Sequence, residues 1–104
     1  MNGHPSLERQ IAALHASIAG QIRAGDPRPI ARALDNLERW RVRFGGELPR
    51  AYQEWEPMLH ASDIERILSI LVGDDEDAIR CRSNSPFTGI LSPQERLEIM
   101  RRAA

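Results

Sequence analysis

Side chains that commonly bind metals or catalyse reactions are few in this sequence and far apart. The three histidines are His4, His15 and His60, and the single cysteine is Cys81. Zinc sites take their ligands mostly in closely spaced pairs of cysteine and histidine, and the sequence contains no such pair. We therefore expect no metal and no cofactor, and we interpret His15 as a surface or boundary residue.

The acidic run Asp74–Asp77 and Cys81 are the remaining candidates for chemistry. A calcium-binding EF-hand loop requires Gly at its sixth position and Glu at its twelfth, whereas counting from Asp74 places Ile79 and Ser85 there. Arginines flank Cys81, but adjacent residues on a helix point in different directions, so we interpret the thiol as structural. No Gly-rich phosphate loop or paired-carboxylate motif occurs, and we expect no catalytic residues and no enzyme.

Arginine supplies all 14 basic residues of the chain. This composition is either a coding bias or a functional choice, since arginine suits bidentate contacts with carboxylates and phosphates. Arg39 and Arg43 are four residues apart, so they share one face of a helix. This face is either solvated and paired with Asp35 and Glu38, or it is a contact surface for an anionic partner. We take Arg39 and Arg43 as candidate partner-binding residues.

Length and composition predict one small globular domain that spans residues 1–104. Hydrophobic residues make up 41% and charged residues 28% of the chain, which is ordinary for a folded protein. No apolar run is long enough for a membrane span, and residues 1–10 lack the features of a signal peptide, so we expect a cytoplasmic protein. The net charge of −1 argues against general nucleic-acid binding.

Glycine, proline and serine divide the chain into five or six amphipathic helices without strand-like alternation, so the predicted fold class is all-α. Gly25 should end the first helix, and Phe44 should lie on the apolar face of the second. Pro57 should kink or split the third. Ser62 and Ser92 each open a capping-box pattern. The predicted helices cover about residues 6–24, 29–44, 47–60, 63–72, 74–82 and 93 onward.

Residues 83–92, just before the last helix, are rich in turn formers and cannot form a regular helix. They include Ser-Pro-Phe-Thr-Gly at residues 85–89. The same stretch contains the large apolar residues Phe87, Ile90 and Leu91, which a solvated loop would not carry. We therefore expect this irregular segment to pack on the body of the protein or on a partner.

Residues 82–96 read Arg-Ser-Asn-Ser-Pro-Phe-Thr-Gly-Ile-Leu-Ser-Pro-Gln-Glu-Arg. This run resembles the C-terminal signature of a family of small bacterial antitoxins, roughly Arg-Gln-Ser-Ser-Pro-Phe-Ala-Gly-x-Leu-x-Pro-x-Glu-Arg-Trp. These are the MenA-like partners of MenT-type nucleotidyltransferase toxins. The upstream layout is also similar, at Leu14-His15, Arg39-Trp40 and Tyr52…Glu54-Trp55. The chain departs from the family pattern at Ser83, Asn84, Thr88 and Leu97.

The resemblance implies a non-enzymatic protein that binds a cognate nucleotidyltransferase toxin and blocks it near its nucleotide or tRNA site. Phe87 then either anchors the partner or locks the last helix onto the body. The alternative functions are a helical scaffold that forms a homodimer and a small nucleic-acid-binding regulator. Under the antitoxin interpretation the candidate partner-binding residues are Arg39, Arg43, Arg82, Ser85, Pro86, Phe87, Thr88 and Gly89.

Overall fold

A computed structural model describes residues 5–103 of the chain, and within that range the protein forms seven helices and no strand. The all-α prediction is confirmed. None of these helices combines the length and apolar character needed to cross a bilayer. The helices are α1 (Pro5–Arg23), α2 (Arg28–Arg43), α3 (Arg50–Gln53), α4 (Trp55–His60), α5 (Ile64–Val72), α6 (Glu76–Ser83) and α7 (Pro93–Ala103).

Side chains cap the N-termini of α5, α6 and α7, with one correction to the prediction. Ser92 and Glu95 form the predicted capping box of α7: the Glu95 amide donates to Ser92 Oγ at 3.1 Å, and the Ser92 amide donates to Glu95 Oε1 at 3.0 Å. The predicted box at Ser62 is wrong. Ser62 has a φ of 51° and follows the end of α4, so Asp63 caps α5 instead and accepts from the Arg66 amide at 3.3 Å.

The predicted third helix is split, as proline at position 57 suggested, but the break falls earlier. The helical backbone ends at Gln53 and resumes at Trp55. Pro57 has no N–H to donate to the carbonyl of Gln53, so the hydrogen-bonded ladder cannot continue through this point. The predicted start at Glu47 is also too early, because α3 begins at Arg50.

The buried apolar side chains form one cluster, to which every helix from α1 to α6 contributes except α3. Trp55 lies at its centre, fully buried, and its Nε1 donates to the Cys81 carbonyl at 3.2 Å. Helix α1 packs against α5 and α7, while α2 packs against α4. The remaining large members of the cluster are Ile18, Ile22, Leu37, Leu48, Met58, Leu59, Ile67, Ile70, Leu71 and Phe87.

Residues 84–92, called here the connecting segment, join α6 to α7 without regular structure, as predicted, whereas Ser83 still belongs to α6. Phe87 enters the core and is 5% exposed. Its ring meets Trp55 edge to face, with 5.6 Å between ring centroids and an interplanar angle of 76°. Ile90 and Leu91 are half-buried against the same core. The apolar residues of this segment therefore pack on the body of the protein.

Candidate protein-binding surface

One side of α2 is buried, and the opposite side carries a row of charged side chains. Pro29, Ala33, Asn36 and Leu37 face the interior. Residues on the solvent side recur at intervals of four, three, four and four, which keeps them on one helical stripe. This stripe, called here the arginine face, consists of the exposed residues Arg28, Arg32, Asp35, Arg39 and Arg43.

The cations of the arginine face differ in how far they are neutralised. Arg28 pairs with Asp26 at 2.8 Å and holds the pKa of that carboxyl down at about 2. Arg39 lies 3.5 Å from Asp35 in a solvent-exposed pair, which contributes little to stability. Arg32 and Arg43 make no ion pair with any residue from 5 to 103. Two guanidinium groups on this face thus keep their charge for an outside anion.

Asn36 fastens the connecting segment alongside the arginine face. The side chain is almost fully buried, and its Nδ2 donates to the carbonyls of Pro86 at 2.8 Å and Thr88 at 3.0 Å. Its Oδ1 accepts from Arg39 Nη2. Asn36 was not predicted from the sequence. It lies between the apolar positions 33 and 37 on the buried side of an amphipathic helix, and a polar residue in such a place usually has a buried hydrogen-bond partner.

Gly89 makes the arginine face continuous with the connecting segment. Its φ is 73°, a backbone conformation that residues other than glycine rarely adopt. A Cβ at this position would lie 3.1 Å from Arg32 Nη2, so the guanidinium passes directly over the glycine. Thr88 and Gly89 are exposed. The structure therefore brings Thr88 and Gly89 beside the basic side chains of α2.

Of the other residues predicted to bind a partner, Arg82, Pro86 and Phe87 are buried in this conformation, and Ser85 is half-buried. Arg82 is buried, and its Nη1 donates to the carbonyls of Ile70 at 2.7 Å and Gly73 at 2.5 Å, which satisfies the C-terminal end of α5. Pro86 and Phe87 are buried as well, and Ser85 Oγ accepts from the Phe87 amide at 3.0 Å.

Two large apolar side chains stand in solvent at the C-terminal end of the arginine face. Val42 is 73% exposed and Phe44 is 55% exposed. The prediction that Phe44 lies on the apolar face of α2 is wrong, because the helix ends at Arg43 and Phe44 occupies the cap position, where the chain turns away. Exposed aromatic residues beside arginine are typical of protein-binding surfaces, where aromatic residues and arginine are enriched.

His15 is buried, in contrast to its expected surface or boundary position. It is 7% exposed, and its Nδ1 lies 2.8 Å from the Ile11 carbonyl. Its Nε2 is buried without a hydrogen-bond partner among the described residues. Burial lowers the pKa of His15, and the nearby Arg82 charge lowers it further. An unsatisfied buried acceptor of this kind costs about 1–3 kcal/mol of stability.

The described residues offer little for metal or thiol chemistry. Within residues 5–103 no three His, Cys, Asp or Glu side chains lie together in a way that could hold a metal ion. Cys81 is buried, with Sγ 3.5 Å from Glu54 Oε2, and burial raises the pKa of its thiol. A raised pKa disfavours the thiolate, which is the reactive form.

No protein-family model, no curated protein and no solved structure matches this chain. The features of this chain that bear on function are the arginine face, the connecting segment and the two exposed apolar residues beside them.

Proposed function

We propose that this chain is a non-enzymatic antitoxin that neutralises a nucleotidyltransferase toxin by direct protein–protein binding. The observation that carries the proposal is the arginine face, with its uncompensated Arg32 and Arg43, ending at the exposed Val42 and Phe44. Guanidinium groups next to exposed apolar side chains suit a partner surface that is acidic at one end and apolar at the other. The resemblance of residues 82–96 to MenA-like antitoxins supports the choice of partner.

Neutralisation would work by occupying the carboxylates that a nucleotidyltransferase uses to hold its metal ions. Guanidinium groups pair with carboxylates through two parallel hydrogen bonds, which fixes orientation as well as charge. Arg43 lies at the C-terminal end of the face and Arg32 lies one turn from its N-terminal end, with Arg39 between them. The connecting segment, held by Asn36, keeps the neighbouring surface rigid, so less conformational entropy is lost on docking.

The test is affinity purification of the tagged protein from its source cell at moderate salt, followed by mass spectrometry. We expect one stoichiometric nucleotidyltransferase-like protein, and we expect Arg43→Glu to lower its recovery by about tenfold or more, because charge reversal opposes an acidic partner. Arg101→Glu is the matched control, since Arg101 is also exposed but lies on α7. Equal recovery with both variants, or recovery of the bait alone, contradicts the proposal.

A homodimeric scaffold is the second candidate, favoured by the exposure of Val42 and Phe44 at the end of α2 and of Leu97 on α7. Light scattering distinguishes it directly, because the monomer mass is 11.8 kDa. A stable dimer that dissociates when Phe44 is changed to Ser, with no heterologous protein recovered, would replace the antitoxin proposal. A nucleic-acid partner would show itself by retention that falls steeply with salt.

A further inference from the structure

A cleft of about 230 Å³ lies between α1, the end of α6, the connecting segment and α7. Its apolar walls include Leu14, Phe87 and Leu91, and its polar lining includes His15, Arg82 and Arg96. A closed apolar cavity of about 150 Å³ holds a benzene molecule, so this cleft has room for a ligand of roughly six to ten non-hydrogen atoms.

His15 lines this cleft, and its side chain contains a hydrogen-bond acceptor that has no partner among the described residues. Its Nδ1 lies 2.8 Å from the Ile11 carbonyl, a distance that requires Nδ1 to carry the hydrogen and donate it. The neutral ring then leaves Nε2 as the nitrogen with the lone pair. Nε2 is enclosed and has no partner among residues 5–103. The group that completes this site must therefore donate a hydrogen bond.

The charged residues that line the cleft indicate which second group the ligand should carry. Two arginines, Arg82 and Arg96, line the cleft, and no acidic residue does. Arg82 Nη1 is held by backbone carbonyls of α5, which are neutral acceptors and leave its positive charge in place. Arg96 is exposed and makes no ion pair with a described residue. An anion is therefore favoured beside the hydrogen-bond donor.

We propose that this cleft binds a small organic anion that also carries an alcohol O–H group, as short-chain hydroxycarboxylates and the phosphate monoesters of polyols do. The anionic oxygens face Arg96 and Arg82, the O–H donates to His15 Nε2, and the hydrocarbon part lies against Leu14 and Leu91. Entry requires a small rotation of the side chains that enclose Nε2, and the hydrogen bond gained there favours the open arrangement. This inference does not depend on the antitoxin proposal.

The O–H requirement is tested by NMR titration of the full-length protein with 2-hydroxy-3-methylbutyrate and with 3-methylbutyrate, which lacks the hydroxyl. We expect the hydroxy acid to bind about tenfold more tightly, with shifts centred on the cleft residues. His15→Leu should reduce this ratio to about one. Arg96→Gln should weaken both ligands, whereas Arg101→Gln, outside the cleft, should weaken neither.

Glycerol 3-phosphate tests whether the anionic group of the ligand is a phosphate ester and not a carboxylate. Tighter binding of this monoester than of the hydroxycarboxylate, with the same dependence on His15, assigns the site to phosphate esters, and the reverse order assigns it to hydroxycarboxylates. The proposal is overturned if neither ligand shifts the cleft resonances at millimolar concentration, which would mean that water alone occupies the cleft. An unchanged preference for the hydroxyl in His15→Leu overturns it as well. Arg96→Gln changes an exposed side chain, so its result does not depend on the folding of the His15 variant.

Discussion

Individual buried polar side chains decide much of what this small protein can do. Arg82 opens the stretch that resembles the antitoxin signature, yet it faces inward and satisfies the carbonyls of Ile70 and Gly73. His15 is the opposite case, since its Nε2 has no partner among the described residues. One residue thus stabilises a helix end, while the other weakens the fold at a cleft.

Replacing Arg82 by Met should destabilise the protein by about 2–3 kcal/mol, because two charge-assisted hydrogen bonds to the end of α5 are lost. Urea unfolding followed by circular dichroism measures the change. Arg66→Met is the control: Arg66 lies exposed on α5 itself, and its replacement should change the free energy of unfolding by less than about 0.5 kcal/mol. An equal loss in both variants would show that Arg82 does not act as a cap.

Replacing His15 by Leu should stabilise the protein by about 1–3 kcal/mol at neutral pH, because the orphaned Nε2 is removed from the interior. His60→Leu is the control, since His60 is exposed. Urea unfolding measures both variants, and destabilisation by His15→Leu would show that the imidazole makes a favourable contact.

The free energy of unfolding should depend on pH through His15, and the direction follows from the lowered pKa of this residue. The unfolded chain protonates His15 near its usual pKa of 6.5, whereas burial lowers the pKa in the folded state. The unfolded state therefore binds more protons below this pH, and the free energy of unfolding falls as the pH drops below about 6.5. Unfolding curves at about pH 7.5 and about pH 5.5 should show this loss in the native chain and a smaller loss in His15→Leu.

At the scale of elements, the sequence predicts much of what local chemistry controls, although not the cap of α5 at Asp63, and misses what distant contacts control. The Ser92 capping box and the stop at Gly25 depend on neighbouring residues, and both are confirmed. Asn36 could not be assigned from the sequence, because its partners Pro86 and Thr88 lie 50 and 52 residues away. The burial of Arg82 was also missed, since its partners Ile70 and Gly73 lie at the C-terminal end of a different helix, α5.

The attachment of the connecting segment to α2 can be measured separately from global stability. Asn36→Ala removes the hydrogen bonds to the carbonyls of Pro86 and Thr88, so amide hydrogen exchange should accelerate in residues 84–92 while α5 stays protected. Thr88→Val removes the Oγ1 contact of 3.3 Å and keeps the carbonyl contact, so it should produce a smaller effect. Equal protection in all three proteins would rule out this attachment.

At the scale of the whole molecule, one core joins the helices to the connecting segment, and the charge is divided along the chain. The first 52 residues hold eight arginines against five acids, and the remainder holds six against ten. The net charge of −1 therefore conceals a basic face on α2 and an acidic start of α6. Such a division favours an oriented approach to a charged partner.

Replacing Phe87 tests whether the connecting segment serves as part of the core or as the anchor for a partner. Phe87→Ala should cost about 3–5 kcal/mol, because it leaves a cavity against Trp55. The melting temperature and the partner pull-down should then fall together. A variant that melts like the native protein and no longer captures its partner would instead assign Phe87 to the interface.

The different surroundings of the two tryptophans give the protein a built-in optical probe. Trp55 is sealed in the core against Phe87, while Trp40 is half-buried with its ring centroid 5.0 Å from that of Tyr52. With Trp40 changed to Phe, all indole fluorescence would come from a side chain that touches the connecting segment. A red shift of the emission would then report, in real time and without a label, that this segment has detached.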